Sequence, residues 1–502
     1  MEEIVRGDLT PSVPQPCSTL VPGVLLELLG GCLVLFASRS AVLDWVPALG
    51  QARETPAGSV LATASFTALV AGIALMLLGY LVSLRAAGRV RPSLGTTLAA
   101  TVLLAAPLLV LITIPSDNIN NYALGGRIDA LYGGNPYTDP PAEFQRDLFA
   151  RQSRDQAAVS DYGPAWQTSA RVIAQAAGEE AGPARFAVIY RLLGLATLLV
   201  SSGLIWAILG RLHPAEQARG TWLFATNPLC LVELVGSGHH DGLMMLLILL
   251  GVLVQLRGRT VTAVVCFGLA VLTKWIVLIL VPAYLVWIYR GRGFRRRATR
   301  SLLLGTLLVV MLGAGLYGRY WAGMRTVEAV TGNLAATRFG NSLAEWVRQR
   351  IDPASTRSVS PPGVHSPTER RIIWAFSLAF AAWALALLRQ VHDVRTLLAA
   401  WGWTLFAYVC LASVWFWPPY GIWVLALAAL APGTSLVRAA VLLSATAMLI
   451  TIGRAAHVAI SASIDSFLLP TFLPPLAYAA LSYLRHRLLA PPVSRAPAGV
   501  RR

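Results

Sequence analysis

Apolar runs of about 20 residues recur along this chain from near residue 21 to near residue 484. That recurrence fixes the fold class before any motif is considered. Inside hydrocarbon every backbone N–H and C=O must be satisfied within the protein, and runs of this length do so as helices. The chain has 502 residues, of which 56% are hydrophobic and 13% charged. A soluble domain carries roughly 25% charged residues, so this surface cannot stay in water. Because the runs fill the whole length, one anchor on a soluble enzyme is excluded. Spans are expected near 21–41, 59–84, 97–114, 184–210, 218–236, 241–257, 301–323, 371–388, 396–412, 418–431, 436–453 and 464–484. The apolar stretch 260–289 has arginine on both flanks, which predicts a pair of short helices that enter and return, bent near Thr273–Lys274. The fold class is all-α and polytopic, with about 12–14 transmembrane segments.

The net charge is +17. In a soluble protein that would suggest nucleic acid; here the arginines sit in short loops between apolar runs, the positive-inside pattern. Arg85, Arg89, Arg91, Arg211, Arg219, Arg257, Arg259, the run 290–300, Arg389, Arg395, Arg438, Arg485, Arg487, Arg495, Arg501 and Arg502 all fall on one side once 260–289 is taken as a pair. That side is cytoplasmic, both termini lie there, and no nucleic-acid partner is expected. The acidic, polar N-terminus does not look like a cleaved signal peptide, and the five cysteines have neither ligand nor disulfide spacing.

This topology divides the chain into N-terminal helices (1–114), a first outer loop (115–183), central helices (184–323), a second outer loop (324–370), and C-terminal helices with a cytoplasmic tail (371–502). The first loop is rich in polar and aromatic residues. Ile119, Tyr122, Ala123, Ile128, Leu131 and Tyr132 offer one apolar side, predicting an amphipathic helix along the interface; 165–178 predicts a second.

Several residues in and beside these loops can carry chemistry. Asp117, in IPSDN directly after the third span, stands at the outer boundary, where a carboxylate can take a proton from an acceptor hydroxyl; the competing reading is a helix N-cap. GGNPYTDPP (133–141) is a rigid turn containing Asn135 and Tyr137. Asp161, Tyr162 and Trp166 of SDYGPAW can line a sugar site or anchor at the interface. His239, His240 and Asp241 in GSGHHDG are adjacent, and neighbours on a helix point about 100° apart, which suits hydrogen bonding or a phosphate better than zinc. Lys274 is the only lysine among 40 arginines and lies inside VLTKWIVL. A buried ammonium needs a partner: a structural acid such as Glu233, or an anion, with Arg338 and Asn341 of the second outer loop as further contacts.

In this order the features resemble a known family. SDNINNYALGGRIDALYGGNPYTDPP looks like the first outer loop of bacterial polyprenyl-phosphate-sugar-dependent glycosyltransferases of the GT-C superfamily, most similar to the polyprenol-phosphate-mannose-dependent mannosyltransferases. The likeness continues through YGPAW, NPLCLVELVGSGHHDGLMMLLILL, LAVLTKWIVLILVPAYL and WFWPPYGIWVLALAAL, over roughly 100–430. It implies a GT-C-like fold in a bacterial plasma membrane. It implies inverting transfer of a hexose or pentose, mannose-like first, to a glycan or glycolipid hydroxyl at the outer face. Asp117 would be the base. The substrate-binding set would be Lys274, Tyr122, Arg127, Asn135, Tyr137, Tyr162, His239, His240, Asp241, Arg338 and Asn341. Where relatives often carry a second acid and a basic residue, this chain has Asn118 and Asn121, so no metal or other cofactor is expected. YGPAW also departs from the commoner Tyr-Pro-Pro form. A transporter or flippase of a lipid-linked sugar is the alternative, since buried charge and broken helices fit it too; a non-catalytic scaffold is a third.

Overall fold

The computed structural model describes residues 17–39, 59–111, 118–153, 155–292, 296–334, 339–353 and 365–489. Among the described residues the regular structure is helical, apart from an isolated bridge between Gly340 and Trp415. In chain order the helices are α1 (Val21–Ala37), α2 (Val60–Val90), α3 (Leu94–Leu109), α4 (Asn118–Ala130), α5 (Leu148–Arg151), α6 (Pro164–Ala177), α7 (Pro183–Leu212), α8 (Gln217–Ala225), α9 (Pro228–Cys230), α10 (Asp241–Leu256), α11 (Thr260–Thr273), α12 (Val281–Arg292), α13 (Arg296–Gly318), α14 (Met324–Leu334), α15 (Leu343–Ile351), α16 (Pro367–Leu388), α17 (Val394–Ala407), α18 (Tyr420–Ala429), α19 (Ser435–Ile460) and α20 (Leu468–Leu489). Helix α9 runs on into a π-helix, Leu231–Gly236.

Among the described residues, eight helices are long and apolar enough to cross a membrane, or nine if the pair 228–236 and 241–256, bent by 117°, is one span. Four more apolar helices are shorter, at Leu94–Leu109, Thr260–Thr273, Trp275–Arg290 and Tyr420–Ala429. The expected 12–14 segments correspond to the long, bent and short helices together. Of these, α18 is buried from Gly421 through Ala429, so its neighbours shield its short length.

Sequence chemistry accounts for the helix ends. Between α2 and α3 the chain turns within RPS: Arg91 takes the left-handed conformation (φ 52°), and the Ser93 hydroxyl accepts from the Thr96 N–H at 3.1 Å to cap α3. Two of the arginines in the loops also close helix ends. Arg290 donates to the carbonyls of Leu388 (2.9 Å), Arg389 (3.2 Å) and Val391 (2.9 Å), satisfying the end of α16. Arg395 does the same for Leu212 at the end of α7 (2.7 Å). A cation on orphan carbonyls complements the negative end of each helix dipole.

Helix packing in the bilayer has no apolar driving force, so it depends on close approach and buried polar links. Helices α1 and α2 cross where a Cβ on Gly30 would stand 2.5 Å from the Gly72 carbonyl oxygen, and one on Gly79 2.5 Å from that of Gly23. Tyr80 donates to the Leu223 carbonyl (2.9 Å), Trp222 to the Ser83 hydroxyl (3.1 Å) and Asn227 to the Ser444 hydroxyl (3.1 Å).

The first outer loop differs from the expected interfacial arrangement. Helix α6 buries one face, Trp166, Gln167, Ala170, Ala174 and Ala177. Helix α4 is instead buried nearly all round, from Asn120 and Tyr122 through Asp129. Its polar residues have partners inside the protein: Asn120 donates to the Phe149 carbonyl (3.1 Å), and Asp129 accepts from Tyr320 (2.8 Å) and Arg319. An amphipathic pattern showed the apolar half of α4; satisfied polar groups allowed the other half to sink as well.

Candidate functional site

The break between α11 and the next helical segment positions the site. Helix α11 ends at Thr273, Lys274 is extended (φ −154°, ψ 120°), and a 3₁₀ turn follows over Trp275–Leu280. The first long loop (115–183) seats on this break. The Gly163 N–H donates to the Thr273 carbonyl (3.3 Å). A Cβ on Gly163 would stand 2.1 Å from the Leu272 carbonyl oxygen and 2.8 Å from that of Thr273. Gly163→Ala is therefore expected to destabilise the chain by about 1–3 kcal/mol, read as a lower melting temperature of the purified protein in detergent. A variant that melts with the wild type would mean that loop and break do not depend on this contact.

Lys274 donates to Asp241 Oδ1 at 2.8 Å, so its carboxylate partner is Asp241. Glu233, the acid considered from sequence, takes His239. The same Asp241 oxygen accepts from Trp423 Nε1 at 2.7 Å, and Asp241 opens α10, where the helix dipole favours an anion. The ammonium lies 4.8 Å from the ring centroids of both Tyr420 and Trp423, which stack on each other at 4.3 Å. Cation–π contact supplements the ion pair there. The Asp241 side chain is 1% exposed and that of Lys274 23%, so the cation remains reachable on one side.

The two histidines turn to different partners. His239 Nε2 accepts from Trp417 Nε1 (3.3 Å), which assigns the proton to Nδ1; that nitrogen faces the Glu233 carbonyl (2.9 Å) and carboxylate (3.1 Å). His240 Nδ1 meets the Tyr122 hydroxyl at 2.7 Å. Its ring lies 5.1 Å from those of both Tyr162 and Trp166. Among the described residues His240 Nε2 is buried without a hydrogen-bond partner, a donor or acceptor still to be used. No group of three or more His, Cys, Asp or Glu residues that could hold a metal occurs among the described residues.

Asp161, next to Tyr162 in the chain, is exposed. Desolvation by the surrounding protein raises its carboxyl pKa, and the Lys274 charge opposes that rise.

The structure thus brings together Tyr122, Tyr162, His239, His240, Asp241 and Lys274. Arg127, Asn135 and Tyr137 of the first loop are held by other partners. Arg127 donates to Asp147 (2.7 Å) and the Glu179 carbonyl (2.9 Å). The Asn135 amide donates to the Tyr320 carbonyl (2.8 Å), and the Tyr137 hydroxyl to that of Tyr162 (2.7 Å). These three shape the loop rather than face the Lys274 cluster. Asn341 is left-handed (φ 50°), just before α15, in a segment joined to 414–416 through the Gly340 N–H to Val414 carbonyl bond (3.0 Å). Asp117 and Arg338 lie outside the described residues. Sequence reasoning missed Trp417, Tyr420 and Trp423 as individual contacts; the signal was the aromatic density of WFWPPYGIW.

A family model described as alpha-(1->6)-mannopyranosyltransferase, N-terminal domain, matches residues 24–290. Among curated proteins, the chain is 25% identical over 348 residues to alpha-(1->6)-mannopyranosyltransferase A of Mycobacterium tuberculosis, covering 66% of this chain and 65% of that protein. It is 25% identical over 198 residues to the protein of the same name from Corynebacterium glutamicum, 39% of each chain. The match therefore spans less than two thirds of either relative's length.

Proposed function

The chain belongs to the alpha-(1->6)-mannopyranosyltransferase family, and from that membership we propose that it transfers a mannosyl residue from a polyprenyl-phosphate donor to a glycan or glycolipid hydroxyl at the outer membrane face. The observation that carries this reading is the extent of the family match. Residues 24–290 include Asp117, α4, α6, the His239–Asp241 turn and Lys274.

The reaction is an inverting displacement. The acceptor oxygen attacks the anomeric carbon, and the bond from that carbon to the phosphate oxygen breaks. The acceptor proton passes to the Asp117 carboxylate, and polyprenyl phosphate departs with its chain still in the bilayer. If the product is α-linked, as the relatives' names state for them, inversion requires a β-linked donor. Charge grows on the leaving phosphate, and a fixed cation near it stabilises the transition state more than the ground state. Lys274, reachable on one side and braced by Asp241, Tyr420 and Trp423, is the residue that fits this task. His240 Nε2 and Asp161 are the groups through which sugar hydroxyls would be held. The arginine distribution supports an outer-face reaction with both termini cytoplasmic.

The test uses the full-length protein in proteoliposomes with radiolabelled polyprenyl-phosphate mannose and a mannoside acceptor. Label is expected in a new, acid-stable glycoside. Label that crosses the bilayer with no glycosidic bond formed would replace this reading with the flippase alternative.

A further inference from the structure

We infer that His240 selects one hydroxyl of the transferred sugar through a fixed Nε2–H, and that Tyr122 is the positioning residue that keeps the proton on that nitrogen. The inference rests on the proposed sugar transfer. It adds the direction of the hydrogen bond, the kind of group that completes it and the residue that sets it.

The Tyr122 hydroxyl stands 2.7 Å from His240 Nδ1 and 3.4 Å from the His240 backbone nitrogen. A backbone N–H can only donate, so the hydroxyl oxygen accepts there. The hydroxyl's own proton then goes to Nδ1, and a ring nitrogen that accepts has no proton of its own. The imidazole proton is therefore assigned to Nε2. Asp241 pulls the other way. Its Oδ2 lies 3.7 Å from the same Nδ1, and a carboxylate favours an N–H turned toward it. That distance is beyond hydrogen-bond length, and the Tyr122 hydroxyl holds the closer place. His239 carries its proton on Nδ1, so the two adjacent rings hold opposite tautomers.

Among the described residues nothing accepts from His240 Nε2. The rings around it are aromatic: those of Tyr162 and Trp166 each centre 5.1 Å from the imidazole, and that of Tyr122 5.4 Å. Trp166 brings a second buried N–H without a partner, so what this cluster lacks is an acceptor. An anion is disfavoured beside His240, because the Asp241 carboxylate approaches the same ring. Asp241 meets Lys274 through Oδ1 and approaches His240 through Oδ2. The cation is thus placed for the phosphate, and the imidazole for the sugar. The matching group is a neutral oxygen among aromatic rings, which is a sugar hydroxyl. His240 is 4% exposed, so a sugar without that hydroxyl leaves the N–H with neither water nor partner. A site that donates to a substrate oxygen rejects the analogue lacking it for this reason.

The test compares kcat/KM for transfer from polyprenyl-phosphate mannose with that from analogues lacking one sugar hydroxyl each, on the purified full-length protein. The wild type is expected to use one of these deoxy analogues about ten- to a hundredfold less well. His240→Phe should lose that penalty and keep the other ratios. Tyr122→Phe should lose most of it too, although the histidine is intact, because Nδ1 then turns its proton toward Asp241 and Nε2 becomes an acceptor. His240→Gln, whose amide supplies an N–H without a tautomer, should retain part of it. Ratios in His240→Phe equal to wild type would overturn the inference and leave the sugar-transfer reading intact. So would a wild type indifferent to every deoxy analogue, which would give the N–H to an internal water alone. An undiminished penalty in Tyr122→Phe overturns the positioning role, and the whole inference where His240→Phe does not purify folded. A wild type that transfers from no mannosyl donor would overturn the sugar-transfer reading, and the inference with it.

Discussion

Asp117→Asn is expected to lower sugar transfer by about a hundredfold to ten-thousandfold, the usual contribution of a general base, with donor binding and melting temperature unchanged. The choice of asparagine separates the two readings of this residue. Asp117 directly precedes α4, so it could act as an N-cap. Asparagine caps a helix about as well as aspartate, so a capping role survives the substitution, but the amide cannot accept the acceptor's proton. Loss of turnover with wild-type stability identifies the base. Wild-type turnover with wild-type stability leaves Asp117 as a cap alone, and the proton must then go elsewhere. Alanine would confuse the two, since it removes cap and base together. Single-turnover transfer and a thermal melt on the same preparation make the distinction.

How much of this was legible in the sequence depends on how far apart the partners lie. Apolar runs are local, so the helical membrane architecture could be read directly. The polar break at Lys274 was visible for the same reason, because a lone lysine in VLTKWIVL contradicts its neighbours. Partners are not local. Lys274 meets Asp241 33 positions away, and the same carboxylate accepts from Trp423 182 positions away. Nothing in either segment announces the other, and Glu233, an acid inside an apolar run, is the partner that burial alone suggests, although it lies farther along the chain than Asp241. The first loop misled in the opposite direction. Arg127, Asn135 and Tyr137 look like substrate contacts because polar and aromatic residues in an outer loop suit sugars. Their partners lie 20, 185 and 25 positions away; two of these bonds lie within the loop, and that of Asn135 ties it to Tyr320 after α13. Gly163 shows the converse: its place in YGPAW, where relatives commonly have proline, has a reason only once the Leu272 carbonyl is seen where a side chain would be.

Lys274→Met is expected to be the most damaging single change to both stability and transfer. Methionine keeps the length and apolar stem of lysine but removes the charge. Asp241, with its side chain 1% exposed, would then be buried with only the Trp423 indole N–H in place of its cation. Breaking a buried pair by removing one partner costs about 3–5 kcal/mol. The two single variants should not be equal. Asp241→Leu leaves behind an ammonium that is 23% exposed and rests on two aromatic rings, so water and cation–π contact offset part of its loss. Lys274→Met should therefore melt lower than Asp241→Leu. The double variant Lys274→Met/Asp241→Leu removes both charges and should regain much of the lost stability, since an apolar pair often replaces a buried ion pair without penalty. Transfer is where the variants diverge from stability. If Lys274 acts on the leaving phosphate, the stable double variant remains inactive, because no rearrangement of the core restores a cation at that position. If the pair only holds α10 to the break before the Trp275–Leu280 turn, activity returns together with the melting temperature. A double-mutant cycle in melting temperature, paired with transfer rates on the same samples, separates the structural share of Lys274 from its chemical one.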